Sequence, residues 1–334
     1  MKVLIITDAW EPQVNGVVTT FKNTKTELEK MGLEVEFITP NDFKTISLPT
    51  YKEIQVAINP WKIGKLIEKS NPDYIHIATE GPLGLLAGIY CRKRGYAFTT
   101  SYHTKMPEYV HTRFKFISES LVYAYMRYIH KGSANVLVTT ESMKRELKQN
   151  GFTQNIVVWG RGVDTLIFHP EIRPKNEKPI LLYVGRISVE KNLEDFFNIS
   201  NDYTKIAVGA GPQYAYYKEK YKASTHIALI GERKGWELQQ CYAHADAFVF
   251  PSKTDTFGIV MLEAMACGTP VVGYPVTGPI DCVIDGKTGI LANDLEIGVS
   301  SALTLNRNTV SEIGKTKTWE ACTQVFKNFL VLKD

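Results

Sequence analysis

The sequence predicts an α/β protein with two successive parallel sheets, each doubly wound by helices. Short apolar stretches alternate with amphipathic stretches, and this alternation occurs twice along the chain. The two runs are separated by residues 168–178, which are rich in proline and charge. Strand–helix alternation is typical of parallel sheets that helices cover on both faces. A length of 334 residues is also sufficient for about two domains.

The first run predicts six strands and four helices. The strands lie at Val3–Ile6, Val35–Thr39, Ile54–Ile58, Tyr74–Ile77, Phe98–Tyr102 and Val136–Thr139. The helices lie at Thr20–Lys30, Trp61–Lys69, Leu83–Arg94 and Ser118–Lys131. Gly32 is the stop signal of the first helix. Because the first apolar run is short and is followed by the polar Thr7 and Asp8, we expect a strand there and not a signal peptide.

The second run begins at Pro179. Its predicted strands are Leu181–Val184, Lys205–Val208, His226–Ile230, Ala247–Phe250 and Val271–Tyr274, and a last helical pattern covers Val310–Leu330. We therefore expect an N-terminal domain at residues 1–168, a C-terminal domain at residues 169–309 and a terminal helix within residues 310–334. Two Rossmann-like halves are expected to place a ligand site in the cleft between them.

Charge and cysteine content exclude several classes of protein. The net charge of +4 is too small to indicate nucleic-acid binding, but it is compatible with an anionic membrane surface or a phosphate-bearing ligand. Five cysteines are scattered without a C-x-x-C pair, which favours a reducing compartment over a disulfide framework or a zinc site. No run of 18 apolar residues occurs, so no membrane-spanning helix is expected.

Residues 250–289 are the most informative stretch of the sequence. The apolar strand at Ala247–Phe250 is followed by a polar loop with Asp255, and Phe257-Gly258 then opens a helix that carries Glu263. Ligands bind at the carboxyl ends of strands in open α/β sheets, and the amides near Phe257–Ile259 would attract phosphate. Carboxylates would repel an anionic phosphate, so we expect these two to bind neutral hydroxyls beside it, such as those of a sugar and a ribose. The alternative is a helix with Asp255 near its capping position.

Glycines and cations follow the other strands of the second run. Arg186 and Lys191 can neutralise a diphosphate, the arginine in bidentate fashion and the lysine as a point charge. Surface solvation is the alternative for this pair. Four glycines would allow close approach of a phosphate to the backbone: Gly16, which follows the first strand, and Gly185, Gly209 and Gly211 in the second run. Arg233 is a further candidate, in a loop that could equally be solvated.

The spacing of Asp255 and Glu263 resembles the E-x7-E signature of retaining GT-B glycosyltransferases, in particular glycosyltransferase family 4, with aspartate in place of the first glutamate. Residues 185–192 resemble the family's G-R-x-x-x-E-K-N block, and residues 209–212 resemble its G-x-G-P turn. The resemblance implies a GT-B fold with a final helix that crosses back to the first domain. It also implies a nucleotide-sugar substrate, with neither a cofactor nor a metal ion.

The resemblance assigns roles to the site residues. Glu263 would bind the ribose hydroxyls and Asp255 a hydroxyl of the donor sugar. Arg186 and Lys191 would stabilise the leaving diphosphate. The Gly16 loop would cover the donor phosphates, and the Arg233 loop would border the base. His103, at the end of a first-domain strand, would lie beside the donor sugar and position it through a hydrogen bond, without acting as general base. From the residues alone, a single histidine at a strand end is more often structural than catalytic.

A narrower group shares further blocks. Ala78-Thr-Glu-Gly-Pro-Leu-Gly84, Arg161-Gly-Val-Asp164 and Pro275-Val-Thr-Gly-Pro-Ile-Asp281 are similar to the proteobacterial family 4 enzymes that glycosylate diacylglycerol, which take part in lipid remodelling when phosphate is scarce. Related mannosyltransferases share several of these blocks. This likeness implies transfer of a hexose or uronic acid to diacylglycerol, favours a UDP-sugar over GDP-mannose, and implies a cytoplasmic protein that is peripheral on the inner face of the cell membrane.

The segment 111–131 combines basic and aromatic residues. Arg113, Lys115, Arg127 and Lys131 occur with Phe114, Phe116, Tyr123, Tyr125 and Tyr128, against the single acid Glu119. Such a segment suits an interfacial helix on an anionic membrane surface. The alternative is a helix that packs its aromatic side chains into the core.

Other chemistries were weighed against sugar transfer. A retaining glycosidase needs its two carboxyl groups about 5–5.5 Å apart, whereas eight residues of helix rise about 12 Å. A sugar-nucleotide epimerase would need an acid–base pair, and none stands out. A non-catalytic nucleotide-sugar-binding module remains open because Asp255 replaces the family's glutamate. A dinucleotide-dependent dehydrogenase is disfavoured because the G-x-G-x-x-G fingerprint with its later acid is missing.

Overall fold

The computed structural model describes residues 1–13, 15–47, 54–113, 115–173 and 176–334. Contacts divide the chain into two compact units. The first unit contains Met1–Arg161 together with Trp319–Asp334, and the second contains Gly162–Thr318. Each unit has its own six-stranded sheet in which every strand pair is parallel. The predicted class of two Rossmann-like parallel-sheet domains is confirmed.

The first unit consists of a parallel sheet, a small ribbon and the helices between the strands. Its strands are β1 Lys2–Ile6, β2 Glu34–Ile38, β3 Thr45–Ser47, β4 Gln55–Ala57, β5 Tyr74–Ile77, β6 Thr99–Tyr102, β7 Asn135–Val138 and β8 Asn155–Val158. Its helices up to that point are α1 Gly16–Lys30, α2 Ile63–Ser70, α3 Pro82–Arg94, α4 Met106–Arg113, α5 Glu119–His130 and α6 Glu141–Gln149. The sheet has the order β2-β1-β5-β6-β7-β8.

The second unit repeats this architecture. Its strands are β9 Ile180–Val184, β10 Thr204–Val208, β11 Ile227–Gly231, β12 Ala247–Phe250, β13 Val271–Gly273 and β14 Gly289–Leu291. Its helices are α7 Leu193–Phe197, α8 Tyr214–Lys220, α9 Gly235–His244, α10 Ile259–Ala266, α11 Pro279–Cys282, α12 Leu295–Ala302 and α13 Arg307–Gly314. The strand order is β11-β10-β9-β12-β13-β14.

Strand order reverses at β1 in the first unit and at β9 in the second. In each sheet, the strands on the two sides of this point are added outwards in opposite directions. This leaves a crevice at the carboxyl ends of two adjacent strands, β1 and β5 in the first unit and β9 and β12 in the second. Asp8 follows β1 and Glu80 follows β5, whereas Arg186 follows β9 and Asp255 follows β12. The topology therefore brings each unit's polar candidates to one edge of its own sheet.

One predicted strand does not join the main sheet. Residues 54–58 were predicted as part of the first parallel sheet, but the strand covers Gln55–Ala57 and pairs antiparallel with β3 in a separate ribbon. Only Ala57 of this strand is buried. A strand in the middle of a parallel sheet is covered on both faces and needs a continuous apolar run, which this segment lacks.

The single terminal helix predicted at Val310–Leu330 is wrong. The segment forms α13 and a separate helix, α14, at Trp319–Asn328. Between them, residues 315–316 form a turn, and the Val163 amide donates to the Lys317 carbonyl in a bridge that pairs Val163 with Thr318. Helical periodicity continues through the break, so the sequence pattern did not show it.

The boundaries of the units differ from the expected ones at 168 and 310. Contacts group residues 162–168 and 310–318 with the second unit. Val163, Phe168 and Val310 are buried in the same core as the second sheet. Gly314 lets α13 approach α10 closely, because a Cβ at this position would lie 2.5 Å from the Met265 carbonyl carbon.

The last residues of the chain pack within the first unit. Phe326 of α14 contacts His76 and Trp159, with ring centroids 4.7 and 4.8 Å apart. Beyond the helix, the Lys333 amide donates to the Asp73 carbonyl and the Lys333 carbonyl accepts from the Ala97 amide, both at 2.8 Å. The first sheet and its helices are thus completed by residues 319–334.

Candidate functional site

Glycine loops after β9 and β10 contact each other through their backbones. The Ile187 amide donates to the Ala210 carbonyl at 2.8 Å. A Cβ at Gly209 would lie 1.9 Å from the Gly185 carbonyl oxygen, and one at Gly211 would lie 2.5 Å from the Ile187 carbonyl oxygen. Both glycines have positive φ angles of 139° and 153°. Only glycine fits these positions, and the two loops form a surface of exposed backbone at the sheet edge.

Tyr183 fixes the backbone that carries Arg186. Its buried hydroxyl donates to the Arg186 carbonyl at 2.8 Å. A Cβ at Gly185 would lie 2.8 Å from the same hydroxyl, so the glycine is required for this approach. The backbone of the partly buried Arg186 is therefore held in a fixed position directly after β9. The sequence gives no local signal for this role of Tyr183, which looks like an ordinary strand residue.

Lys191 and Asp255 form a bidentate ion pair. The Lys191 ammonium lies 2.5 Å from Asp255 Oδ1 and 2.8 Å from Oδ2. Both side chains are about three quarters buried, with 22% and 25% of their surface exposed. Two site residues that were predicted from separate motifs are therefore in direct contact. Each orients the other, and a ligand can approach the cation with its phosphate or the carboxylate with its hydroxyl.

The carboxylate of Asp195 contacts side chains from three loops around this ion pair. Its carboxylate accepts from Asn192 and, at 2.5 Å, from the Tyr274 hydroxyl. The Lys253 ammonium lies 3.5 Å from the same carboxylate and 4.3 Å from the centroid of the Tyr274 ring. These contacts join the loop after β9, which carries Lys191, to the loops after β12 and β13. Sequence reasoning missed Asp195 because Tyr274 and Lys253, which contact its carboxylate, are far away along the chain.

The N-terminus of α10 lies directly after the Asp255 loop. Gly258 is the N-cap residue, with φ 94° and ψ 81°, and within the described parts of the chain no side chain caps it. A Cβ at Gly278 would lie 2.8 Å from the Asp255 carbonyl and 3.2 Å from the Phe257 carbonyl, so the two loops are in tight contact. The first amides of α10, beginning at Ile259, form an end that favours an anion.

Glu263 lies one turn further along α10 and contacts Tyr242. The Tyr242 hydroxyl donates to Glu263 Oε2 at 2.8 Å. Burial raises the pKa of Glu263 to about 7, although the Tyr242 hydrogen bond favours the ionised form. Tyr242 is fully buried between Phe168 and Phe248. The carboxyl group is therefore close to its titration midpoint at neutral pH and is held by a rigid partner that the sequence did not indicate.

Arg233 and Gly16 have local contacts. Arg233 donates to the Glu232 carbonyl at 2.7 Å and lies 3.9 Å from Glu237, so its guanidinium remains with its own loop before α9. Gly16 is the first residue of α1, which therefore begins four residues before the predicted start at Thr20. The Asn15 side chain accepts from the two amides that follow Gly16, each at 3.0 Å.

His103 lies in the first unit, directly after β6. It is buried, and its Nδ1 lies 2.7 Å from Arg161 Nη2. Phe21 and Trp159 contact its ring, with centroids 5.5 and 5.9 Å away. Burial, with the adjacent Arg161 charge, holds the pKa of His103 well below its usual value. The imidazole is therefore neutral. The contact with Arg161 was not predicted, although Arg161 belongs to a motif noted in the sequence.

A second polar cluster at the first sheet's edge was missed by sequence reasoning. Asp8 accepts from the Leu83 amide at 2.8 Å and from the Gly84 amide at 3.2 Å, so it caps α3 from a distant part of the chain. A Cβ at Gly81 would lie 2.4 Å from the Asp8 carboxyl carbon. The buried Glu80 carboxyl lies 3.6 Å from His130 Nε2. The only sequence signal was the Glu80 motif itself.

The segment 111–131 divides its aromatic side chains between the core and the surface. Tyr123 is buried, whereas Phe116, Tyr125 and Tyr128 are 85%, 42% and 50% exposed. The Arg92 guanidinium lies 5.2 Å from the centroid of the Tyr128 ring, which extends the basic aromatic surface to α3. Phe114 and the side chain of Arg113, which belonged to the predicted membrane segment, lie outside the described residues.

Over the described residues, no group of three or more His, Cys, Asp or Glu side chains is arranged to hold a metal ion. Over those same ranges, no helix combines the length and the apolar character that a membrane crossing requires.

Family models and relatives identify the chain's family. Residues 14–165 match the model of glycosyltransferase family 4, and residues 164–297 match the model of glycosyl transferases group 1. The sulfoquinovosyl transferase SQD2 of Arabidopsis thaliana is 31% identical, over 94% of this chain and 70% of SQD2. A GDP-mannose-dependent alpha-mannosyltransferase of Corynebacterium glutamicum is 26% identical, over 98% and 88%. An alpha-monoglucosyldiacylglycerol synthase of Streptococcus pneumoniae is 27% identical, over 93% and 81%.

Solved structures support the fold. Sucrose-phosphate synthase from Thermosynechococcus elongatus superposes with a TM-score of 0.80 at 19% identity, over 98% of this chain and 97% of that one. Anabaena HepE in complex with UDP-glucose superposes with a TM-score of 0.72 at 15% identity, over 98% and 99%. The family models and the 31% identity to SQD2 show that the chain belongs to glycosyltransferase family 4, and the solved structures show that it has the GT-B fold.

Proposed function

We propose that this glycosyltransferase moves a hexose or a uronic acid from a nucleotide sugar to diacylglycerol, with retention at the anomeric carbon, and so makes a membrane glycolipid. The observation that carries the proposal is the Lys191–Asp255 ion pair, which lies between the Arg186 loop and the open N-terminus of α10. A cation, a carboxylate and a helix end at one sheet edge suit a ligand that combines phosphate with sugar hydroxyls.

The proposed mechanism assigns each charged group one task. Arg186 and Lys191 stabilise the charge that develops on the departing diphosphate, and the amides of Phe257–Ile259 add to this stabilisation. These cations take the place of a metal ion. Asp255 holds a hydroxyl of the donor sugar, and Glu263 accepts from the ribose hydroxyls. The acceptor hydroxyl attacks from the face that the diphosphate leaves, and the leaving phosphate takes the proton.

The remaining site residues shape and border the donor. Gly185, Gly209 and Gly211 provide backbone without side chains, so a phosphate can come close to their amides. The Arg233 loop borders the base. In the first unit, the Gly16 loop covers the donor phosphates, and His103 donates a hydrogen bond to the donor sugar. A UDP-sugar is favoured over GDP-mannose, in keeping with the HepE complex with UDP-glucose.

A lipid acceptor is supported by two independent observations. One of the relatives is an alpha-monoglucosyldiacylglycerol synthase, and its name specifies a glycosylated diacylglycerol. In addition, Phe116, Tyr125 and Tyr128 are exposed, and the Arg92 guanidinium of α3 lies 5.2 Å from the centroid of the Tyr128 ring. Amphipathic aromatics beside cations are typical of proteins that lie on an anionic membrane surface. We therefore place the enzyme on the inner face of the cell membrane, facing the cytoplasm.

The direct test is incubation of the protein with a panel of nucleotide sugars and diacylglycerol liposomes that contain an anionic lipid. Mass spectrometry of the lipids should show one glycosylated diacylglycerol, and NMR of the product should show the anomeric configuration of the donor. A mannosylated phosphoinositide or polysaccharide would support the alternative acceptor classes. A new sugar nucleotide formed without acceptor would indicate an epimerase, and donor binding without any product would indicate a non-catalytic module.

Asp255→Asn tests the division of tasks between the sugar and the diphosphate. The variant keeps the shape of the side chain but removes its charge, so turnover of the nucleotide sugar should fall roughly 10- to 100-fold, as expected for a lost charged hydrogen bond of about 1.5–3 kcal/mol. Binding of UDP alone should stay equal or become tighter, because Lys191 loses its competing anion. Asp285→Asn, in an exposed turn of the same unit, is the control. Equal losses for UDP and for the sugar nucleotide would contradict the assignment.

A further inference from the structure

Arg161 is a buried cation and the last residue of the segment Met1–Arg161 of the first unit. Its Nη1 donates to the carbonyls of Trp159 at 2.9 Å and Gly160 at 2.7 Å, and its Nη2 lies 2.7 Å from His103 Nδ1. Its Cζ lies 4.7 Å from the centroid of the Trp159 ring. The guanidinium is therefore oriented by two carbonyls and a ring face, and one of its N–H bonds is directed at the imidazole.

The chemistry of the two groups determines where the imidazole proton is. A guanidinium has only donors and does not lose its proton in proteins, so His103 Nδ1 must be the acceptor. A neutral imidazole carries one N–H, which must then be on Nε2. A carboxylate or carbonyl partner would produce the opposite tautomer and leave Nε2 as an acceptor. Arginine at position 161 therefore selects one of two chemically different forms of His103.

We propose that Arg161 is a positioning residue that holds His103 in its Nε2–H tautomer, so that His103 is a hydrogen-bond donor to a substrate oxygen and does not remove the acceptor's proton. Base catalysis needs a nitrogen lone pair, and the lone pair of Nδ1 is already bound by Arg161. The identity of the substrate oxygen, a hydroxyl of the donor sugar, rests on the proposed function. The tautomer of His103 does not.

The surroundings of His103 support a permanently neutral ring. The charged or titratable groups that act on it are Arg161, His76 and His130, all of which disfavour an additional positive charge. Phe21 packs its ring edge-to-face against the imidazole, and Trp159 contacts it from another direction. The ring has little freedom to turn over and exchange its nitrogens without disturbing this packing.

NMR on protein labelled with ¹⁵N-histidine tests the tautomer directly. The spectrum of His103→Gln identifies the signals of His103 among the seven histidines. In the unaltered protein, we expect a protonated Nε2 and an unprotonated Nδ1, with no change between about pH 5.5 and 8.5, where an ordinary histidine titrates. A His103 that carries its proton on Nδ1 would overturn the proposal without any variant of Arg161 being made.

Variants of Arg161 extend the test to function. Arg161→Met should give a mixture of tautomers, raise the pKa of His103 because the neighbouring cation is gone, and lower kcat/KM roughly tenfold for a weakened hydrogen bond. Arg161→Lys keeps a donor-only group and should retain the Nε2–H tautomer and most of the activity. An unchanged tautomer in Arg161→Met would contradict the proposal.

Two outcomes separate this inference from the proposed function. The NMR signature needs no turnover, so it remains decisive even if no glycolipid is made. If Arg161→Met does not fold, as shown by its circular dichroism, Arg161→Lys and the unaltered protein still report the tautomer. Loss of activity in Arg161→Met with a wild-type spectrum would assign Arg161 a purely structural role and would also overturn the proposal.

Discussion

The two units have similar sheets, but the helix N-termini at the polar edges of these sheets have different partners. In the first unit, side chains occupy the helix ends: Asn15 accepts from the first amides of α1, and Asp8 accepts from the first amides of α3. In the second unit, Gly258 precedes α10 without a side-chain cap from any described residue. Amides that already have partners are poor anion sites, whereas open amides attract phosphate. The comparison therefore favours the N-terminus of α10 over those of α1 and α3 as the helix end that could bind an anion.

The largest effect is expected from removing a cation at the second unit's edge. Arg186→Ala should lower kcat about 10²- to 10³-fold, the scale of a lost donor to developing charge, with little change in the free energy of unfolding. Steady-state kinetics with the nucleotide sugar and diacylglycerol liposomes, together with chemical denaturation, measure both. Lys287→Ala, an exposed cation of the same unit, should leave activity unchanged. Full activity of Arg186→Ala would remove the anion-binding role from this edge.

Backbone contact at the same edge predicts the next largest effect. Gly209→Ala would place its Cβ 1.9 Å from the Gly185 carbonyl oxygen at φ 139°, so it should lower the free energy of unfolding by more than about 3 kcal/mol. Gly286→Ala is the matched control, because its φ is 74° and no described atom lies within 4 Å of its Cβ position. That variant should lose only about 1 kcal/mol. Equal losses in urea denaturation would show that φ alone, and not loop contact, requires glycine.

A smaller effect on the free energy of unfolding is expected from removing the side chain that caps α3 in the first unit. Asp8→Ala leaves the Leu83 and Gly84 amides without their acceptor and should destabilise the protein by about 1–2 kcal/mol. Asp294→Ala removes a local cap of α12 in the second unit and serves as the comparison, with an expected loss of about 1 kcal/mol. Hydrogen exchange of the α3 amides locates the change. Unchanged protection there would mean that Asp8 does not cap α3.

The smallest effect concerns the protonation of Glu263. Burial raises its pKa from 4.5 to about 7, and the Tyr242 hydroxyl favours the ionised form. Because the folded pKa is raised, the stabilisation from the bound proton is present at low pH and is lost as pH rises through about 7. Tyr242→Phe should raise this pKa by roughly half to one unit, if the hydrogen bond is worth about 1 kcal/mol.

Calorimetric titration of UDP between about pH 5.5 and 8.5 measures that shift. The ionised carboxylate accepts both ribose hydroxyls, so UDP binding should strengthen as pH rises through the pKa of Glu263, and the midpoint should be higher in Tyr242→Phe. Glu263→Gln lacks the titrating group and therefore corrects for the titration of UDP itself. Identical midpoints in the unaltered protein and Tyr242→Phe would mean that the tyrosine does not tune the carboxyl group.

Sequence reasoning predicted more residues of the second unit's candidate site than of the first unit's polar cluster. Arg186, Lys191 and Asp255 lie in the loops that follow the apolar runs ending at Val184 and Phe250, so local pattern alone assigned them to loops at strand ends. The contacts that orient site residues join distant segments: Arg161 and His103 are 58 positions apart, and Asp8 and Leu83 are 75 apart. Such pairs depend on how the strands are ordered in the sheet, which periodicity does not specify.

Two errors in the fold have the same origin. The break before Trp319 leaves the helical period intact, because it is caused by pairing with Val163. The strand at Gln55–Ala57 has strand-forming residues, but its partner is β3 and not the parallel sheet. In both cases the local propensity was identified correctly and the tertiary partner decided the outcome.

The packing of Phe326 and Lys333 within the first unit has a consequence for biosynthesis. A ribosome delivers the chain from its N-terminus, and domains usually fold in that order. Here the first half waits for the final residues to arrive before its hydrophobic interior is closed over Phe21 and Trp159. The half that is translated first is therefore completed only after residues 162–318 of the second unit have been translated.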